Sequence, residues 1–405
     1  MKILHVIPSY EPAWAFGGTV TATSNLCRAL AGKGIQVTVY TTDADGKGGH
    51  LNVPLNQPVD IGGVKVWYFH CDLLPKKAFY SRGLAKKLKE AVTDFDIVHV
   101  SAIWQWIGVD VYRICKKQRI PYIITPHSSL MKFAFFSVGF QYIKKIYWKF
   151  WGRNAVINAS AIQFLCEVER EESDWISDKT PSFIVPNGIN LCEPVYEENQ
   201  RELIRDRLNI PKESLVLLFL GRVHPKKQIE LIIKAMPRIL ELKKDIYLII
   251  VGPVEDYAYF ENLKKIAQAS KVNQNIIWNG PVKKQEVYDY YSASNIMVLP
   301  SIVEGISMAI TEALQTSLPV LISNRVANYK EIGEDEAGIV VEPCYESVKN
   351  SLIQICSNIE QLKQLSQNAR KSAENRYDIN KVASLMIKAY EDVLTGKRRP
   401  ELQWE

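Results

Sequence analysis

The fold is decided first by the stretch LVLLFLGRVHPKK, residues 215–227. Its first six residues are all apolar, and a glycine and several cations follow them directly. A short strand that is apolar on both faces is typical of a parallel sheet covered by helices on both sides. Ligands of open α/β sheets bind at the carboxyl ends of such strands. The stretch therefore predicts an α/β fold with a polar, cationic loop at a binding edge.

The same pattern recurs along the whole chain, with amphipathic helical segments between the apolar runs. A first series of candidate strands comprises Lys2–Ile7, Gln36–Thr41, Val64–Phe69, Asp96–Val100, Tyr122–Thr125, Ala161–Leu165 and Phe183–Val185. A second series comprises Leu215–Leu220, Ile246–Val251, Ile276–Trp278, Ile296–Leu299, Val320–Ile322 and Gly338–Val341. Two such series predict two Rossmann-like, doubly wound domains with parallel sheets. Their facing carboxyl edges would form a central cleft.

Polar residues, proline and glycine cluster in residues 187–212, and this predicts a hinge between domains 1–190 and 191–379. With 405 residues the chain is long enough for two hydrophobic cores. A final helical segment follows the last strand, and the residues alone leave open which domain it packs on.

Composition excludes several classes of protein. Apolar residues make up 47% and charged residues 23% of the chain, which is typical of a globular protein and not of a disordered one. A net charge of +6 is mild at this length and does not indicate nucleic acid. The seven cysteines form no Cys-x-x-Cys pair, which favours a reducing compartment. The N-terminus has no signal-peptide layout and no apolar run is long enough to span a membrane, so we expect a cytoplasmic protein.

The first motif is Gly17-Gly18, between the first strand and a helical segment. Glycines at this position let backbone N–H groups approach an anion, although a flexible turn explains the pair equally well. The second motif is GRVHPKK, residues 221–227. Arg222 and Lys227 offer a guanidinium fork and a mobile ammonium group, which suit a diphosphate. Lys226 has the character of a surface residue.

The third motif is PSIVEGISMAITE, residues 300–312, where a strand ends and a helix begins. A helix start leaves backbone N–H groups without internal partners, and here these belong to Gly305, Ile306, Ser307 and Met308. Glu304 precedes them, and Glu312 lies about two turns further on. A carboxylate accepts two hydrogen bonds from hydroxyl groups, so both residues are candidates for binding a vicinal diol.

The fourth motif is Thr125-Pro126-His127, at the end of another strand. His127 could form a hydrogen bond to a substrate hydroxyl or carbonyl near neutral pH, although a single histidine is more often structural. The other histidines do not have metal-ligand spacing, and the chain has no Asp-x-Asp pair. The sequence therefore predicts no metal site and no cofactor.

The fifth motif is residues 131–153, MKFAFFSVGFQYIKKIYWKFWGR, with nine aromatic residues, five basic residues and no acid. Helical spacing places one set of side chains on an apolar face: Ile143, Ile146, Tyr147, Phe150 and Trp151. Lys145, Lys149 and Arg153 form a basic face. A basic amphipathic helix favours contact with a membrane surface or a lipid-linked acceptor. A helix whose apolar face packs on the core and whose basic face contacts water explains the pattern about equally well.

Together these motifs resemble the family 4 glycosyltransferases, retaining enzymes of the GT-B fold. The resemblance spans nearly the whole chain, because six motifs occur in the family's order: Gly17-Gly18, Thr125-Pro126-His127, Pro186-Asn187-Gly188-Ile189, Gly221-Arg222 with Lys227, Asn279-Gly280-Pro281-Val282 and Glu304-Gly305 with Glu312. It implies two Rossmann-like domains and transfer of a hexose from a nucleotide sugar, such as a UDP- or GDP-sugar, to a saccharide or lipid-linked acceptor in cell-surface polysaccharide or glycolipid synthesis.

The resemblance also implies roles for residues. Arg222 and Lys227 would hold the donor diphosphate, and Glu312 the nucleotide ribose. Glu304 would contact the transferred sugar, and the backbone from Gly305 to Met308 the distal phosphate.

On the other domain, His127 would face the sugar, and Gly17 and Gly18 would line the phosphate or acceptor side. Val282 and its neighbours would flank the base. The final helix, within residues 380–405, would cross back onto the first domain. His127, Arg222, Lys227 and Glu304 are thus the expected catalytic residues, with no metal and no nucleic acid involved.

The sequence departs from the family pattern at three places. The usual Glu-Gly-Phe-Gly is Glu304-Gly305-Ile306-Ser307, Thr-Pro-His-Gly ends in Ser128, and Lys-Lys-Gly ends in Gln228. None of these changes removes a charge, but donor preference could differ. A sugar-nucleotide 2-epimerase of the same fold and a non-catalytic sugar-nucleotide-binding protein remain as alternatives. The aromatic, basic segment 131–153 favours a transferase over an epimerase.

Overall fold

A computed structural model describes residues 1–46, 48–72, 79–101, 103–136, 141–177, 180–191 and 198–396. The chain divides into two compact units, Met1–Asn190 with Arg376–Glu405, and Leu191–Asn375. Parts of three predicted segments lie outside the described residues: 137–140 of the aromatic segment, 192–197 of the hinge and 397–405 of the C-terminal segment. Each unit is built on one sheet.

Among its described residues, the first unit contains eight strands: β1 (Lys2–Val6), β2 (Gln36–Thr42), β3 (Pro58–Ile61), β4 (Val64–Phe69), β5 (Ile97–Val100), β6 (Tyr122–Ile124), β7 (Ala161–Phe164) and β8 (Ser182–Ile184). They form one sheet in the order β3-β4-β2-β1-β5-β6-β7-β8. All neighbours are parallel except β3 and β4. The strands apart from β3 confirm the first predicted series to within one residue at each end.

Strand β3 corrects the prediction of an entirely parallel sheet, because it pairs antiparallel with β4 at the edge. It begins with a proline and alternates polar with apolar residues, so it does not resemble a buried parallel strand. Gly62 and Gly63, with φ of 63° and 82°, form the turn to β4. A two-residue Gly-Gly turn between short strands is a hairpin signal, and it could have revealed β3 from the sequence.

The second unit contains six strands: β9 (Leu215–Leu220), β10 (Ile246–Val251), β11 (Ile276–Gly280), β12 (Ile296–Leu299), β13 (Val320–Ser323) and β14 (Gly338–Val341). Their order is β11-β10-β9-β12-β13-β14, and every pair of neighbours is parallel. The second predicted series is confirmed. Because β9 lies between β10 and β12, the loops after these three strands meet at one edge of the sheet.

Helices connect these strands. They are α1 (Gly18–Gly32), α2 (Arg82–Ala91), α3 (Trp106–Gln118), α4 (Lys132–Phe136), α5 (Gln141–Tyr147), α6 (Arg153–Ile157), α7 (Glu167–Glu172), α8 (Asp174–Ser177), α9 (Glu198–Arg207), α10 (Ile229–Leu242), α11 (Tyr257–Ala269), α12 (Val287–Ala293), α13 (Met308–Gln315), α14 (Tyr329–Glu334), α15 (Tyr345–Ser357), α16 (Ile359–Ser372) and α17 (Ile379–Leu394). A π-helical turn, Trp148–Gly152, joins α5 to α6.

Helices cover both faces of the first sheet. One hydrophobic cluster joins α1 to the C-terminal helix α17 through residues such as Leu30 and Met386. A second cluster contains Leu88 of α2 and Val111 of α3. The last helix of the chain therefore belongs to the first unit, although its preceding residues belong to the second. This arrangement is doubly wound, and it leaves the carboxyl ends of the strands for loops.

In the second unit, glycines allow the ends of neighbouring strands to approach closely. Gly221 follows β9 and Gly252 follows β10, with φ of 154° and 140°. A Cβ atom on Gly252 would lie 2.0 Å from the carbonyl oxygen of Gly221. The N–H of Gly252 donates to the carbonyl oxygen of Gly280 at 2.9 Å. Only glycine fits at residue 252, and its fit sets the position of the GRVHPKK loop.

We expect Gly252→Ala to destabilise the second unit by about 3 kcal/mol or more, because the new methyl group collides with backbone and the residue keeps an unfavourable φ. Urea unfolding followed by circular dichroism measures the loss. Gly32→Ala is the control, since a methyl group on that helical glycine would have no neighbouring atom within 4 Å. It should be neutral or slightly stabilising. Equal midpoints for both variants would contradict the assignment.

Candidate active site

The centre of the second unit's polar edge is an ion pair between Lys227 and Glu304. The Lys227 ammonium group donates a hydrogen bond to Oε2 of Glu304. The lysine side chain is 11% exposed and the glutamate side chain 23% exposed, so both charges are largely removed from water. Lys227 follows β9 and Glu304 follows β12, and these strands are neighbours in the sheet. The sequence-predicted pair of residues is thus brought into direct contact.

The loop that carries Glu304 is held by backbone hydrogen bonds on both sides. The N–H of Glu304 donates to the carbonyl oxygen of Arg325 at 3.0 Å, and its own carbonyl accepts from Ala327 at 3.0 Å. The N–H of Ile302 donates to the carbonyl of Lys226 at 2.9 Å. The loops after β9, β12 and β13 therefore support one another, and the position of the Glu304 carboxylate is fixed by backbone.

Helix α13 begins directly after this loop. Its N-cap residue, Ser307, makes no side-chain capping hydrogen bond. Within the described part of the chain, none of four successive backbone N–H groups has a protein acceptor: those of Gly305, Ile306, Ser307 and Met308. Donors at a helix start carry partial positive charge and bind anions. Together with the Lys227 ammonium group, they form a site suited to phosphate oxygens.

Arg222 is not placed beside Lys227 by any contact among the described residues. Its guanidinium group pairs with Glu255, at 3.0 Å to Oε1 and 2.9 Å to Oε2, and its side chain is 66% exposed. Glu255 lies four residues beyond the end of β10, so sequence reasoning about polar residues after strands could have found it. An exposed ion pair of this kind is worth little to stability. Arg222 can therefore exchange this partner for another anion at low cost.

Glu312 projects from α13 beside a buried tyrosine. The hydroxyl group of Tyr291 lies 3.2 Å from Oε2 of Glu312 and 3.1 Å from the carbonyl oxygen of Ala309. Burial raises the pKa of the Glu312 carboxyl group, while Lys284 and the Tyr291 hydroxyl act in the opposite direction. Sequence reasoning missed Tyr291, because its position on α12 gives no indication of its partner.

Gln228 explains how the chain tolerates one departure from the family pattern. It follows Lys227 and adopts a left-handed conformation with φ of 49°, where glycine is favoured. When its amide is oriented to satisfy its neighbours, the nitrogen donates to the carbonyl oxygens of Pro300 at 3.1 Å and Pro343 at 3.2 Å. These two hydrogen bonds offset the unfavourable backbone conformation and connect the loop after β9 to Pro300.

The remaining predicted residues lie at the carboxyl edges of their own sheets. Val282 is half-buried, two residues beyond the end of β11. Gly17 and Gly18 are exposed at the start of α1, and Gly17 has a φ of 80°. The structure does not bring Gly17 or Gly18 into a described contact with the other predicted residues.

His127 lies in the first unit, after β6. It and Ser128 both have a positive φ, 48° and 62°. Glu169 holds this strained turn, because its carboxylate accepts hydrogen bonds from the backbone N–H of Ser128 at 2.5 Å and of Leu165 at 2.8 Å. The Nε2 atom of His127 is buried and has no hydrogen-bond partner among the described residues. Burial lowers the pKa of His127 to about 4, so its ring is neutral at pH 7.

Two family models match this chain. The model for glycosyl transferases group 1 covers residues 200–372, and the model for glycosyltransferase family 4 covers residues 16–193. Together they span the strands and loops described above. The chain belongs to the family 4 glycosyltransferases.

Individual relatives extend over most of this glycosyltransferase. An uncharacterized glycosyltransferase of Methanocaldococcus jannaschii is 25% identical and covers 96% of this chain and 98% of its own. The alpha-monoglucosyldiacylglycerol synthase of Streptococcus pneumoniae is 24% identical over 80% of this chain and 74% of its own. Among solved structures, HepE of Anabaena in complex with UDP superposes with a TM-score of 0.75 at 15% identity, covering 97% and 100% of the two chains. The predicted GT-B fold class is confirmed.

The aromatic segment of this glycosyltransferase differs from the predicted single apolar face. The π-helical turn inserts one extra residue per turn, so the faces of α5 and α6 do not continue each other. Tyr147 and Trp151 turn inward and contact Trp106 in edge-to-face geometry, with ring centroids 6.1 and 5.2 Å from it. Ile146 and Phe150 remain more than half exposed. The prediction that all of these residues share one face is therefore wrong.

An outward-facing group is left on this segment. Tyr142 is 84% exposed, and Lys145, Lys149 and Arg153 are also exposed. The Lys149 ammonium group lies 5.7 Å from the Phe150 ring centroid. Among the described residues, no helix has both the length and the apolar character needed to cross a membrane.

Behind His127, a chain of buried hydrogen bonds crosses the first sheet. The His99 ring lies 2.6 Å from the hydroxyl groups of both Tyr390 and Thr125. The Thr125 hydroxyl donates to Gln163 at 2.8 Å. Sequence reasoning identified Thr125 but missed this network, because its members come from β5, β6, β7 and α17. The network connects α17 to Thr125, which directly follows β6 and lies two residues before His127.

A second buried histidine, His5 on β1, stacks on His99 with ring centroids 4.4 Å apart. Burial lowers the pKa of His5 to about 3, and the neighbouring His127 contributes to this shift. Burial also lowers the pKa of His99 well below its usual value. The unfolded chain binds more protons than the folded chain below about pH 6.5, so these histidines reduce stability as the pH falls. Burial raises the pKa of Glu169 to about 7. The folded chain therefore binds this proton more tightly than the unfolded chain, and Glu169 adds stability as the pH falls.

We expect His5→Gln to weaken the pH dependence of folding. Between pH 7.5 and pH 5.0 the wild type should lose about 2 kcal/mol of unfolding free energy through His5 alone, and the variant should not lose this part. Urea unfolding at the two pH values measures the difference.

The control is Ser101→Ala, which removes the 2.8 Å contact between the Ser101 hydroxyl and Nε2 of His5 but leaves the ring in place. It should lower stability at both pH values and keep the wild-type pH dependence. If His5→Gln and wild type lose the same free energy on acidification, the assignment of a buried neutral ring at residue 5 fails.

Proposed function

We propose that this glycosyltransferase moves a hexose-type sugar from a nucleotide sugar, such as a UDP- or GDP-sugar, to a saccharide or lipid-linked saccharide, with retention of anomeric configuration and without a metal ion at the phosphates. One observation carries the proposal. The Lys227 ammonium group and the four backbone N–H groups at the start of α13 lie at the same strand edge, beside the Glu304 carboxylate. The positive groups at this edge suit a diphosphate, and the neighbouring carboxylate suits the hydroxyl groups of an attached sugar.

The chemistry requires departure of a nucleoside diphosphate from the anomeric carbon. Negative charge grows on the leaving phosphate oxygen as that bond breaks, and fixed positive groups stabilise it. Lys227 supplies a full charge, and the start of α13 supplies N–H donors that need no rearrangement. Arg222 can leave Glu255 and add a second cation. In this proposal, these positive groups take the place of a divalent ion at the diphosphate.

Glu304 would hold the transferred sugar while Lys227 holds the phosphate. In the free protein the two side chains neutralise each other, so neither is left as an isolated, partly buried charge. When the donor binds, its phosphate competes for the ammonium group and a sugar hydroxyl can donate to the carboxylate. The pair therefore prepares two neighbouring subsites of opposite charge.

Glu312 would bind the ribose of the nucleotide. The Tyr291 hydroxyl occupies Oε2, and we assign Oε1 to a ribose hydroxyl. Val282 would flank the base, because it follows a strand at the same edge of the sheet. On the first unit, His127 presents a neutral ring whose Nε2 has no described partner, which suits a sugar hydroxyl better than a phosphate.

Retention results either from two successive inversions through a covalent intermediate or from attack of the acceptor on the face from which the diphosphate leaves. No side chain of the described second-unit edge is placed as a covalent nucleophile, and Glu304 is occupied by Lys227. We therefore propose that a phosphate oxygen of the leaving group helps to take the acceptor proton. Gly17 and Gly18 would line the acceptor or phosphate side of the first unit.

Two comparisons support the ligand classes. HepE of Anabaena was solved in complex with UDP, and one relative of this chain is an alpha-monoglucosyldiacylglycerol synthase, whose name contains a lipid. The exposed group on residues 142–153 combines Tyr142, Ile146 and Phe150 with three cations. We propose that it contacts an anionic membrane surface where a lipid-linked acceptor of polysaccharide or glycolipid synthesis lies, which would place the enzyme on the inner face of the cell membrane.

We expect Lys227→Met to lower kcat by about a hundredfold to a thousandfold, the range found when one preorganised donor is lost from a transition state. Release of nucleoside diphosphate from a panel of UDP-, GDP-, ADP- and TDP-sugars, with and without saccharide acceptors and chelator, measures the activity and selects the donor. Lys234→Ala is the matched control, because Lys234 is an exposed lysine on the next helix. It should keep wild-type activity.

Wild-type turnover in Lys227→Met would contradict the proposed role of Lys227 at the diphosphate. Activity that chelator abolishes and Mg²⁺ restores would contradict the absence of a metal ion at the phosphates. Turnover of the sugar without acceptor-dependent release of nucleoside diphosphate would favour the epimerase instead. Thermal shifts with UDP or GDP but no turnover with any acceptor would favour a binding protein.

For the membrane surface, we expect a Lys145/Lys149/Arg153 triple alanine variant to bind vesicles of anionic lipid at least tenfold more weakly, since each cation near such a surface contributes about 1 kcal/mol. Co-sedimentation at low salt measures the affinity. The matched control replaces three exposed cations elsewhere on the same unit: Lys116, Lys117 and Arg119.

Both triple variants change the net charge equally, so an effect of total charge would lower vesicle binding in both. Only a loss confined to the 145–153 variant supports the proposed surface. Activity on a soluble acceptor should remain in that variant, which separates membrane contact from catalysis.

A further inference from the structure

A cluster of three side chains lies in the first unit, outside the residues discussed so far. Nδ1 of His50 lies 2.9 Å from one carboxylate oxygen of Asp43, and Nδ1 of His70 lies 3.1 Å from the other. The two imidazole rings are stacked, with centroids 4.5 Å apart. One ligand atom from each residue lies within 4.8 Å of the others. Both histidines therefore direct the same type of nitrogen at one carboxylate.

The topology of the sheet assembles this cluster. Asp43 directly follows β2 and His70 directly follows β4, and the last residues of these parallel strands, Thr42 and Phe69, are paired. The backbone N–H of Asp43 donates to the carbonyl oxygen of Phe69 at 3.0 Å. The chain then returns, and Ala44 pairs with His50 in an antiparallel bridge.

Their separations along the sequence follow no metal-binding pattern, which is why the sequence predicts no metal site. The three residues nevertheless come together, because strand register places Asp43 beside the end of β4 and the Ala44–His50 bridge brings His50 back to Asp43.

We propose that Asp43, His50 and His70 bind one divalent transition-metal ion, with Zn²⁺ as the preferred ion. Two imidazole nitrogens and one carboxylate are a frequent zinc ligand set, and the fourth position would be taken by water. Magnesium and calcium prefer oxygen ligands, so two imidazoles select against them.

The observed distances suit this ion. Tetrahedral zinc bonds of about 2.0–2.1 Å place neighbouring ligand atoms roughly 3.3 Å apart, slightly more than the contacts of Asp43 with the two rings. Insertion of the ion between the three groups therefore needs only a small movement of exposed side chains. The His50 and His70 side chains are 34% and 57% exposed, which gives the ion a route from solvent.

Asp43 is the rigid member of the set. Its side chain is only 4% exposed, and its Oδ1 accepts a hydrogen bond from the backbone N–H of Cys71 at 2.8 Å. A hydrogen bond of this kind orients a carboxylate ligand and is typical of metal sites.

Occupancy would stabilise a segment next to one of the family motifs. Gly46, three residues after Asp43, packs against the turn before Gly17, because a Cβ atom on Gly46 would lie 3.0 Å from Cβ of Ala15 and 3.2 Å from the Phe16 ring. Binding of the ion would tie Asp43 and His50 to the end of β4. The proposed role is structural, separate from the departure of the diphosphate, and it does not depend on the proposed function.

The test uses the full chain after removal of metal with a chelator. Equilibrium dialysis against ZnCl₂ should give one tightly bound ion per chain in the wild type. A His50→Ala/His70→Ala variant should lose this site, with at least a hundredfold weaker binding. Zn²⁺ should raise the thermal unfolding midpoint of the wild type by several degrees but leave the double variant unchanged, whereas Mg²⁺ should affect neither.

Three controls keep the result interpretable. Asp43→Asn preserves the shape of the side chain and should weaken zinc binding, whereas Asp60→Asn, on the edge strand β3 of the same unit, should not. Cys344→Ser removes an exposed thiol that could bind zinc independently, and it should retain the site. Co²⁺ should give the intense visible absorption of a tetrahedral site in the wild type. Equal zinc binding in the wild type and the double variant would overturn the proposal.

Discussion

The ion pair between Lys227 and Glu304 is the interaction on which the arrangement of the second unit's edge depends. It joins the loops after β9 and β12, which are adjacent strands, and it does so where both side chains are largely shielded from water. Breaking such a pair by removing one partner leaves an uncompensated, partly buried charge, and this penalty is larger than the attraction itself. The pair therefore fixes the loops while no donor is bound.

Backbone geometry gives this pair its position. Gly252 permits the close approach of the ends of β9 and β10, and Gln228 holds a left-handed turn immediately after Lys227 by reaching two proline carbonyl groups. The N–H groups at the start of α13 then lie directly after Glu304. Under the proposed function, a phosphate group displaces the Glu304 carboxylate from Lys227 and gains helix donors in the same movement. The energetic result is an exchange of partners without exposure of a bare charge.

The sequence was sufficient for the fold because parallel strands buried on both faces leave long apolar runs such as Leu215–Leu220, and these occur in two series. It was insufficient for β3, whose polar, proline-initiated edge strand has no such run. Lys227 and Glu304 could be predicted as neighbours because both follow central strands. Tyr291 and Gln163 could not, since their partners are set by helix orientation and strand register. The pairing of Asp43 with two histidines was also hidden, because the strand order brings β2 beside β4.

The two units differ in the charge that they offer at their strand ends. The second unit offers cations and N–H donors, which suit phosphate, and carboxylates, which suit hydroxyl groups. In the first unit, His5, His99 and the Nε2 atom of His127 are buried, and burial keeps these three rings neutral at pH 7. A neutral imidazole can donate or accept a hydrogen bond without attracting the diphosphate. Under the proposed function, the neutral His127 ring suits a sugar hydroxyl, and the Lys227 ammonium group suits phosphate.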